Sequence, residues 1–251
     1  MKYGPDIITI LITTVDYQWE ERLDLKPGFR IIATAAVLAC IIAGWGLFSK
    51  QDFAPITIPI PVEKGLPPSP VESIPADQLK TPDLILLGAR AEAVNGTRYD
   101  ASYQVMSYPG GDVAPDRGAC TDVVIRAFRR AGIDLQALIH QDMRDRFSEY
   151  PQLWGLKGPD ANIDHRRVPN QMAYFKRHGQ TLSVENHSDE TLWQWGDVVY
   201  WRFSNGLEHC GIVSDRRNEE GIPLVIHNAS VCREEDALLR WEIIGHYRYP
   251  K

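Results

Sequence analysis

The sequence predicts an α+β domain from Leu84 to the carboxy terminus. Four helical segments come first and a group of β-rich segments follows, an order that is typical of the α+β class. The chain has 251 residues, of which 44% are hydrophobic and seven are tryptophan, so it can bury a core of its own. We therefore expect helices packed on a small antiparallel sheet.

An apolar run near the amino terminus predicts a membrane anchor. Residues 31–48 carry no charge and would span roughly 27 Å as a helix, enough to cross a bilayer. Arg22, Lys26 and Arg30 precede the run, so the positive-inside rule assigns residues 1–30 to the cytoplasm and the rest to the outside. A signal peptide cleaved on secretion is the alternative, although the acidic residues before the run are unusual for one.

A proline-rich segment follows the anchor. Eight prolines lie among small and polar residues between Pro55 and Pro82, which favours an extended spacer for residues 49–83. An ordinary linker of no set length is equally compatible with this composition.

The elements of the domain are predicted from periodicity and from turn residues. Apolar residues at helical spacing, ended by glycines such as Gly96, Gly132 and Gly179, indicate the helices. β-rich runs separated by turn residues indicate the strands. The predicted helices cover residues 84–94, 121–131, 135–147 and the stretch between Val168 and Gly179, and the predicted strands cover residues 197–201, 209–214, 224–227 and 241–249.

Cys120 is the candidate nucleophile, because one predicted helix begins at this residue. The amino terminus of a helix lowers the pKa of a thiol and favours the thiolate, which is the nucleophilic form. An inert buried cysteine is the alternative.

Two histidines on neighbouring predicted strands complete a candidate catalytic group. His209 is expected to act as the base, and His227 to fix its tautomer and orientation. If His209 faces the helix of Cys120, strand alternation turns Cys210 away from that helix. Asn228 replaces His227 as the orienting residue if the register turns His227 outward.

These segments resemble the papain-like bacterial cell-wall peptidases of the NlpC type. In that family a cysteine opens a helix, a histidine begins a strand, and a third polar residue follows on the next strand. The corresponding stretches here are Cys120-Thr121-Asp122, His209-Cys210-Gly211-Ile212-Val213 and Ile226-His227-Asn228.

A closer resemblance, over residues 84–251, is to the bacterial family known as domain of unknown function 1287. It is carried by Tyr99-Asp100, Tyr108-Pro109-Gly110-Gly111-Asp112, the stretch from Asp116 to Arg126, the stretch from Asn162 to Asn170, and the stretch from Gly245 to Pro250. Two features depart from the expected pattern: Cys210 replaces an aliphatic residue, and residues 229–232 replace a glycine-rich turn.

Together the resemblances imply a papain-like cysteine peptidase or amidase in the periplasm, anchored in the bacterial inner membrane. Its implied substrate is an amide bond in the stem peptides of peptidoglycan. The alternative function is a catalytically inactive module that binds cell-wall peptides on the same fold.

Several polar residues are candidates for supporting roles. Asp122 is either a cap of the Cys120 helix or a substrate contact. Tyr103 or Tyr108 is a candidate oxyanion donor, unless both are structural. Asp164 and His165 belong to a charged segment that is solvated, ion-paired or able to dock a carboxylate-bearing peptide.

Other classes of function are disfavoured. The net charge is −6 and no basic stripe is evident, so nucleic acid is not an expected partner. A zinc site made of Cys120, His209 and His227 lacks the usual ligand spacings, so no metal or cofactor is expected. Outside the apolar run the cysteines are Cys120, Cys210 and Cys232, and a Cys210–Cys232 disulfide is one arrangement that leaves Cys120 free.

Overall fold

The computed structural model describes residues 65–251. The predicted cytoplasmic segment, the predicted anchor at residues 31–48 and the first part of the predicted linker lie outside this range. Within residues 65–251, no helix has the length and apolar character needed to span a bilayer.

Four α-helices form where the sequence predicts them. The first ends at Gly96, whose φ of 62° is the left-handed conformation that glycine adopts without strain. The third is capped by Asp134, whose side chain accepts hydrogen bonds from the amides of Gln136 at 3.0 Å and Ala137 at 3.3 Å. The helices are α1 (Thr81–Asn95), α2 (Cys120–Arg130), α3 (Leu135–Arg146) and α4 (Val168–His178).

The predicted antiparallel sheet is confirmed within the described residues. The strands are β1 (Arg98–Tyr99), β2 (Arg117–Gly118), β3 (Gln180–Thr181), β4 (Val198–Arg202), β5 (Glu208–Arg217), β6 (Pro223–Asn228), β7 (Cys232–Glu235) and β8 (Glu242–Arg248). Six of them form this sheet, in the order β3-β8-β4-β5-β6-β7, and β1 and β2 form a separate parallel pair. Strands β4, β5, β6 and β8 correspond to the four predicted strands, whereas the other four were not predicted.

The two faces of the sheet bury different clusters. Val124 and Phe128 of α2 pack with Ile212 on the helix side, and burying each such side chain stabilises the fold by roughly 1.5–3 kcal/mol. Trp201 and Val213 pack on the opposite face, in a smaller cluster. This division of the core fixes α2, and with it Cys120, against the sheet.

The end of the predicted linker is part of the domain. Asp215 accepts hydrogen bonds from the Ser69 hydroxyl at 2.6 Å and from the Val71 amide at 2.8 Å, and Val71 is buried. Arg90 of α1 donates to the Pro67 carbonyl at 2.7 Å. The chain from Pro67 onward therefore packs on the domain and does not act as a free spacer.

Candidate active site

Cys120 is the first residue of α2, and only 4% of it is exposed. Asp122 accepts a hydrogen bond from the Ala119 amide at 2.6 Å and so caps the helix start. Gly118 permits this close approach, because a β-carbon there would lie 2.8 Å from the β-carbon of Asp122. The local sequence thus holds the cysteine at a capped helix amino terminus, where the helix dipole favours a thiolate.

Asp122 also forms a buried ion pair, which accounts for both of its carboxylate oxygens. Arg166 donates to them from Nε and Nη2, each at 2.8 Å. The same guanidinium donates to the carbonyls of Ser102 at 2.8 Å and Asp100 at 3.2 Å. Asp122 therefore caps α2 and anchors Arg166, and it is not placed to contact a substrate.

The two predicted catalytic histidines meet beside Cys120. His209 and His227 are 2% and 1% exposed, and Nε2 of His209 lies 2.9 Å from Nδ1 of His227. His209 also lowers the pKa of the Cys120 thiol, as a neighbouring imidazole does. Gly211 makes room for the pair, because a β-carbon there would lie 2.9 Å from that of His227.

Of the two possible orientations of the histidine strand, the structure has the one in which Cys210, and not His209, faces the helix side. Cys210 packs in the helix-side core, whereas His209 contacts Trp201 on the opposite face, with ring centroids 5.7 Å apart. Cys120 opens its helix, and both Cys210 and His209 lower the pKa of its thiol. The candidate nucleophile is therefore influenced by two residues of one strand.

These neighbours hold the pKa of Cys120 well below its ordinary value. The hydrogen bond with the Cys210 thiol is the largest cause; burial opposes the shift, and the hydrogen bond with His209 adds to it. The pKa of Cys210 is raised by burial and by the hydrogen bond with Cys120. Of the two thiols, Cys120 is thus the one that ionises.

Aromatic rings enclose the imidazole pair. The Trp241 ring centroid lies 5.7 Å from that of His209 and 5.5 Å from that of His227, edge to face. Phe203 packs at 5.1 Å from His209. Burial lowers the pKa of His227, so this ring stays neutral near pH 7 and can accept a hydrogen bond through one nitrogen.

Two further residues of the site were missed by sequence reasoning. Oε1 of Glu235, on the unpredicted strand β7, lies 2.9 Å from Nε2 of His227. Tyr99 is 45% exposed, and its phenol pKa is raised to about 12, first by burial and then by the charge of Cys120. Tyr99 therefore responds to the charge of Cys120, and it is a candidate oxyanion donor in addition to Tyr103 and Tyr108.

Those two tyrosines are engaged elsewhere. The Tyr103 hydroxyl donates to Asp160 at 3.1 Å and accepts from Asn162 at 3.0 Å. Tyr108 packs edge to face on His140, with centroids 4.9 Å apart. Both are largely exposed loop residues, and these contacts favour the structural interpretation of them.

The remaining candidates support the surroundings of the site. Asn228 is buried and donates to the carbonyls of Thr97 at 3.1 Å and Gly118 at 2.9 Å, so it ties β6 to the segment before Cys120, and the orienting position belongs to His227. Asp164 and His165 are buried, not solvated. Burial raises the pKa of Asp164 to about 6 and lowers that of His165 to about 3.

The proposed Cys210–Cys232 disulfide is not formed, since Cys120, Cys210 and Cys232 are all unbonded. Strand β6 lies between β5 and β7, which separates the two backbones by roughly 9–10 Å, beyond the span of a disulfide. Within residues 65–251, no three histidine, cysteine or acidic side chains are grouped as metal ligands.

Comparison with known proteins identifies relatives of this domain. A family model described as domain of unknown function (DUF1287) matches residues 86–249. A protein of Escherichia coli strain K12, named "Uncharacterized protein YijF", is 51% identical over 163 residues, which cover 64% of this chain and 78% of that protein.

Proposed function

We propose, from the premise that the chain belongs to the DUF1287 family, that it is a papain-like cysteine hydrolase of amide bonds. The observation that carries this proposal is that Cys120 opens a helix, that His209 lowers the pKa of its thiol, and that His227 lies 2.9 Å from His209. Acyl transfer requires a nucleophile, a base next to it, and a group that orients the base.

The roles follow from the ring nitrogens. Nε2 of His209 is directed at His227, which leaves Nδ1 for the proton of the Cys120 thiol. The Cys120 thiolate attacks the carbonyl carbon, and the imidazolium of His209 then gives its Nδ1 proton to the departing amine. The resulting thioester is hydrolysed by a water molecule that loses its proton to the same nitrogen.

The charge that develops on the carbonyl oxygen needs hydrogen-bond donors. The backbone amide of Cys120, at the open end of α2, is one donor. The Tyr99 phenol, whose pKa is raised in part by the charge of Cys120, is the proposed second donor. In this proposal the two groups form the oxyanion hole.

The proposed substrate is the stem peptide of peptidoglycan. Two considerations support it: the resemblance to NlpC-type cell-wall peptidases, and the predicted anchor at residues 31–48, which assigns the domain to the periplasmic side of the inner membrane. The bond attacked is an amide in either case, whether the enzyme cleaves within the peptide or releases it from the sugar.

The test is the release of new amino groups from purified peptidoglycan by the full-length protein in detergent. Cys120→Ala is the inactive variant, and Cys232→Ala, a buried cysteine on β7, is the matched control. Mass spectrometry of the fragments identifies the bond. We expect release by the parent and by Cys232→Ala, and none by Cys120→Ala.

Iodoacetamide labelling separates the two parts of the proposal. Rapid labelling of Cys120 without amine release would retain a thiol hydrolase and reject peptidoglycan as its substrate. Slow labelling of Cys120 together with no release would overturn the enzyme and favour a peptide-binding module on the same fold.

A further inference from the structure

The chain of contacts behind Cys120 does not stop at His227. Nε2 of His227 lies 2.9 Å from Oε1 of Glu235. The geometry of this contact is not that of a hydrogen bond, so the attraction between the two groups is mainly electrostatic. His227 is thus bracketed by an imidazole on one side and a carboxylate on the other.

The carboxylate is itself held in place. Arg240 donates from Nη1 to Oε1 of Glu235 at 3.1 Å and from Nη2 to Oε2 at 3.0 Å. Arg240 also donates to the Asp236 carbonyl at 3.0 Å, which fixes the guanidinium on the turn after β7. A paired, two-point contact of this kind orients a carboxylate more firmly than a single bond does.

The charge of Glu235 decides which nitrogen of His227 carries the proton. A neutral imidazole has one protonated and one unprotonated nitrogen. A lone pair on Nε2 would face the carboxylate and be repelled, whereas a proton there is attracted. The proton therefore resides on Nε2, and Nδ1 of His227 presents a lone pair to His209.

That lone pair sets the state of the base in turn. Nε2 of His209 must donate to Nδ1 of His227 across their 2.9 Å contact, so in the neutral ring Nδ1 of His209 is the unprotonated nitrogen. This is the nitrogen that has to receive the Cys120 proton. The opposite tautomer of His227 would carry its proton on Nδ1. Either Nε2 of His209 would then also be protonated, and two donors would face each other, or the proton of His209 would sit on Nδ1, and that nitrogen could not accept the Cys120 proton.

We propose that Glu235 is a positioning residue that sets the proton arrangement of His227 and His209, so that the nitrogen facing Cys120 is free to act as base. The inference rests on the proposed function and deepens it, extending the group to Cys120, His209, His227 and Glu235. The charged or titratable groups that face His227 are His209 from β5, Glu235 from β7 and Arg240 from the following turn.

The test uses three variants of the full-length protein. Glu235→Met keeps a side chain of similar length without an acceptor, Glu235→Asp is the conservative variant, and Arg240→Met removes the partner but keeps the carboxylate. Glu242→Gln, an exposed glutamate on β8, is the matched control. The measurements are kcat and KM for amine release, and the rate of Cys120 alkylation by iodoacetamide between about pH 5 and 9.

For Glu235→Met we expect kcat to fall by about 10- to 100-fold with KM changed less than about threefold, as for other carboxylates that orient a functional histidine. Alkylation of Cys120 should slow by about tenfold near pH 6, because the thiolate loses its imidazolium partner. Glu235→Asp should recover part of both losses, and Arg240→Met should keep most of the activity.

The outcomes separate the two proposals. Values of kcat and alkylation rate for Glu235→Met within about twofold of the parent would overturn the role of Glu235, since a purely structural ion pair predicts that result. A parent that releases no amine, with an alkylation profile that still shifts in Glu235→Met, would reject peptidoglycan as the substrate and retain the positioning role.

Discussion

Cys210 and Cys120 lie in the same core cluster, and each residue shifts the pKa of the other's thiol, in opposite directions. Both groups are buried in the helix-side core. One S–H donor next to another sulfur favours a single ionised thiol, and the opposite pKa shifts of the two residues assign the charge to Cys120. Cys210, which departs from the aliphatic residue expected at its position, therefore contributes to the reactivity of the nucleophile.

We expect Cys210→Ala to raise the pKa of Cys120 and to slow its alkylation by iodoacetamide near pH 6, by about tenfold if that pKa rises by about one. Cys210→Ser, which keeps a donor, should lie closer to the parent. Peptide mass spectrometry after timed labelling gives the rate for Cys120 alone. Cys232→Ala is the control, and equal rates for Cys210→Ala and this control would contradict the donor role.

We expect Tyr99→Phe to lower kcat for amine release by roughly 100-fold while KM stays nearly constant, because an oxyanion donor acts mainly in the transition state. Tyr103→Phe is the control, since its hydroxyl bonds to Asp160. Steady-state kinetics of both variants test this assignment. An unchanged kcat in Tyr99→Phe would leave the backbone amides as the sole donors.

Asp122→Asn should lower the free energy of unfolding by about 3 kcal/mol, because the change leaves the buried Arg166 guanidinium without its counter-charge. Asp116→Asn breaks the exposed pair with Arg98 and should cost less than about 1 kcal/mol. Urea unfolding followed by tryptophan fluorescence measures both. Similar losses in the two variants would mean that the Asp122–Arg166 pair contributes no more than a surface pair.

We expect buried His165 to make the protein less stable as the pH falls below neutral. Its pKa is lowered to about 3 in the folded chain, whereas the unfolded chain binds that proton near pH 6.5. Between these values the unfolded state holds more protons, so the free energy of unfolding falls as pH falls, by about 2 kcal/mol between pH 7 and 4.5. His165→Gln should remove this part of the slope in urea titrations at the two pH values.

The neighbouring Asp164 acts with the opposite sign. Its pKa is raised to about 6, so the folded state holds that proton and loses stability as pH rises through about 4 to 6. The parent and His165→Gln both contain Asp164, so the difference between their pH slopes of unfolding free energy comes from His165. His187→Gln, at a partly exposed histidine, is the control, and equal slopes for parent and His165→Gln would contradict the prediction.

Local signals made most of the fold predictable. The helix at Cys120 follows from its apolar spacing and from the stop at Gly132, and the strands of His209 and His227 follow from β-rich runs between turns. These elements bring Cys120, His209 and His227 into one part of the fold. The face of β5 was not predictable, because the position of a sulfur at a helix end relative to a strand depends on tertiary packing.

The unpredicted parts of the site have weaker signals. Strand β7 reads Cys232-Arg233-Glu234-Glu235, a short charged run with no apolar alternation, and it forms because it pairs with β6. Tyr99 lies in a two-residue strand that pairs with Arg117–Gly118. Neither the pairing nor the approach to Cys120 leaves a periodic trace in the sequence.

β7 is an edge strand of the sheet, so local unfolding of this strand would affect the candidate site. In the sheet formed by residues 65–251, β7 is the last strand, and its ladder is made with β6 alone. Border strands open at a lower free energy than central ones, without unfolding of the whole domain. Such fraying of β7 separates Glu235 from His227 while Cys120 and His209 remain in the core, so the proposed proton arrangement depends on the local opening equilibrium of this strand, which amide hydrogen exchange measures.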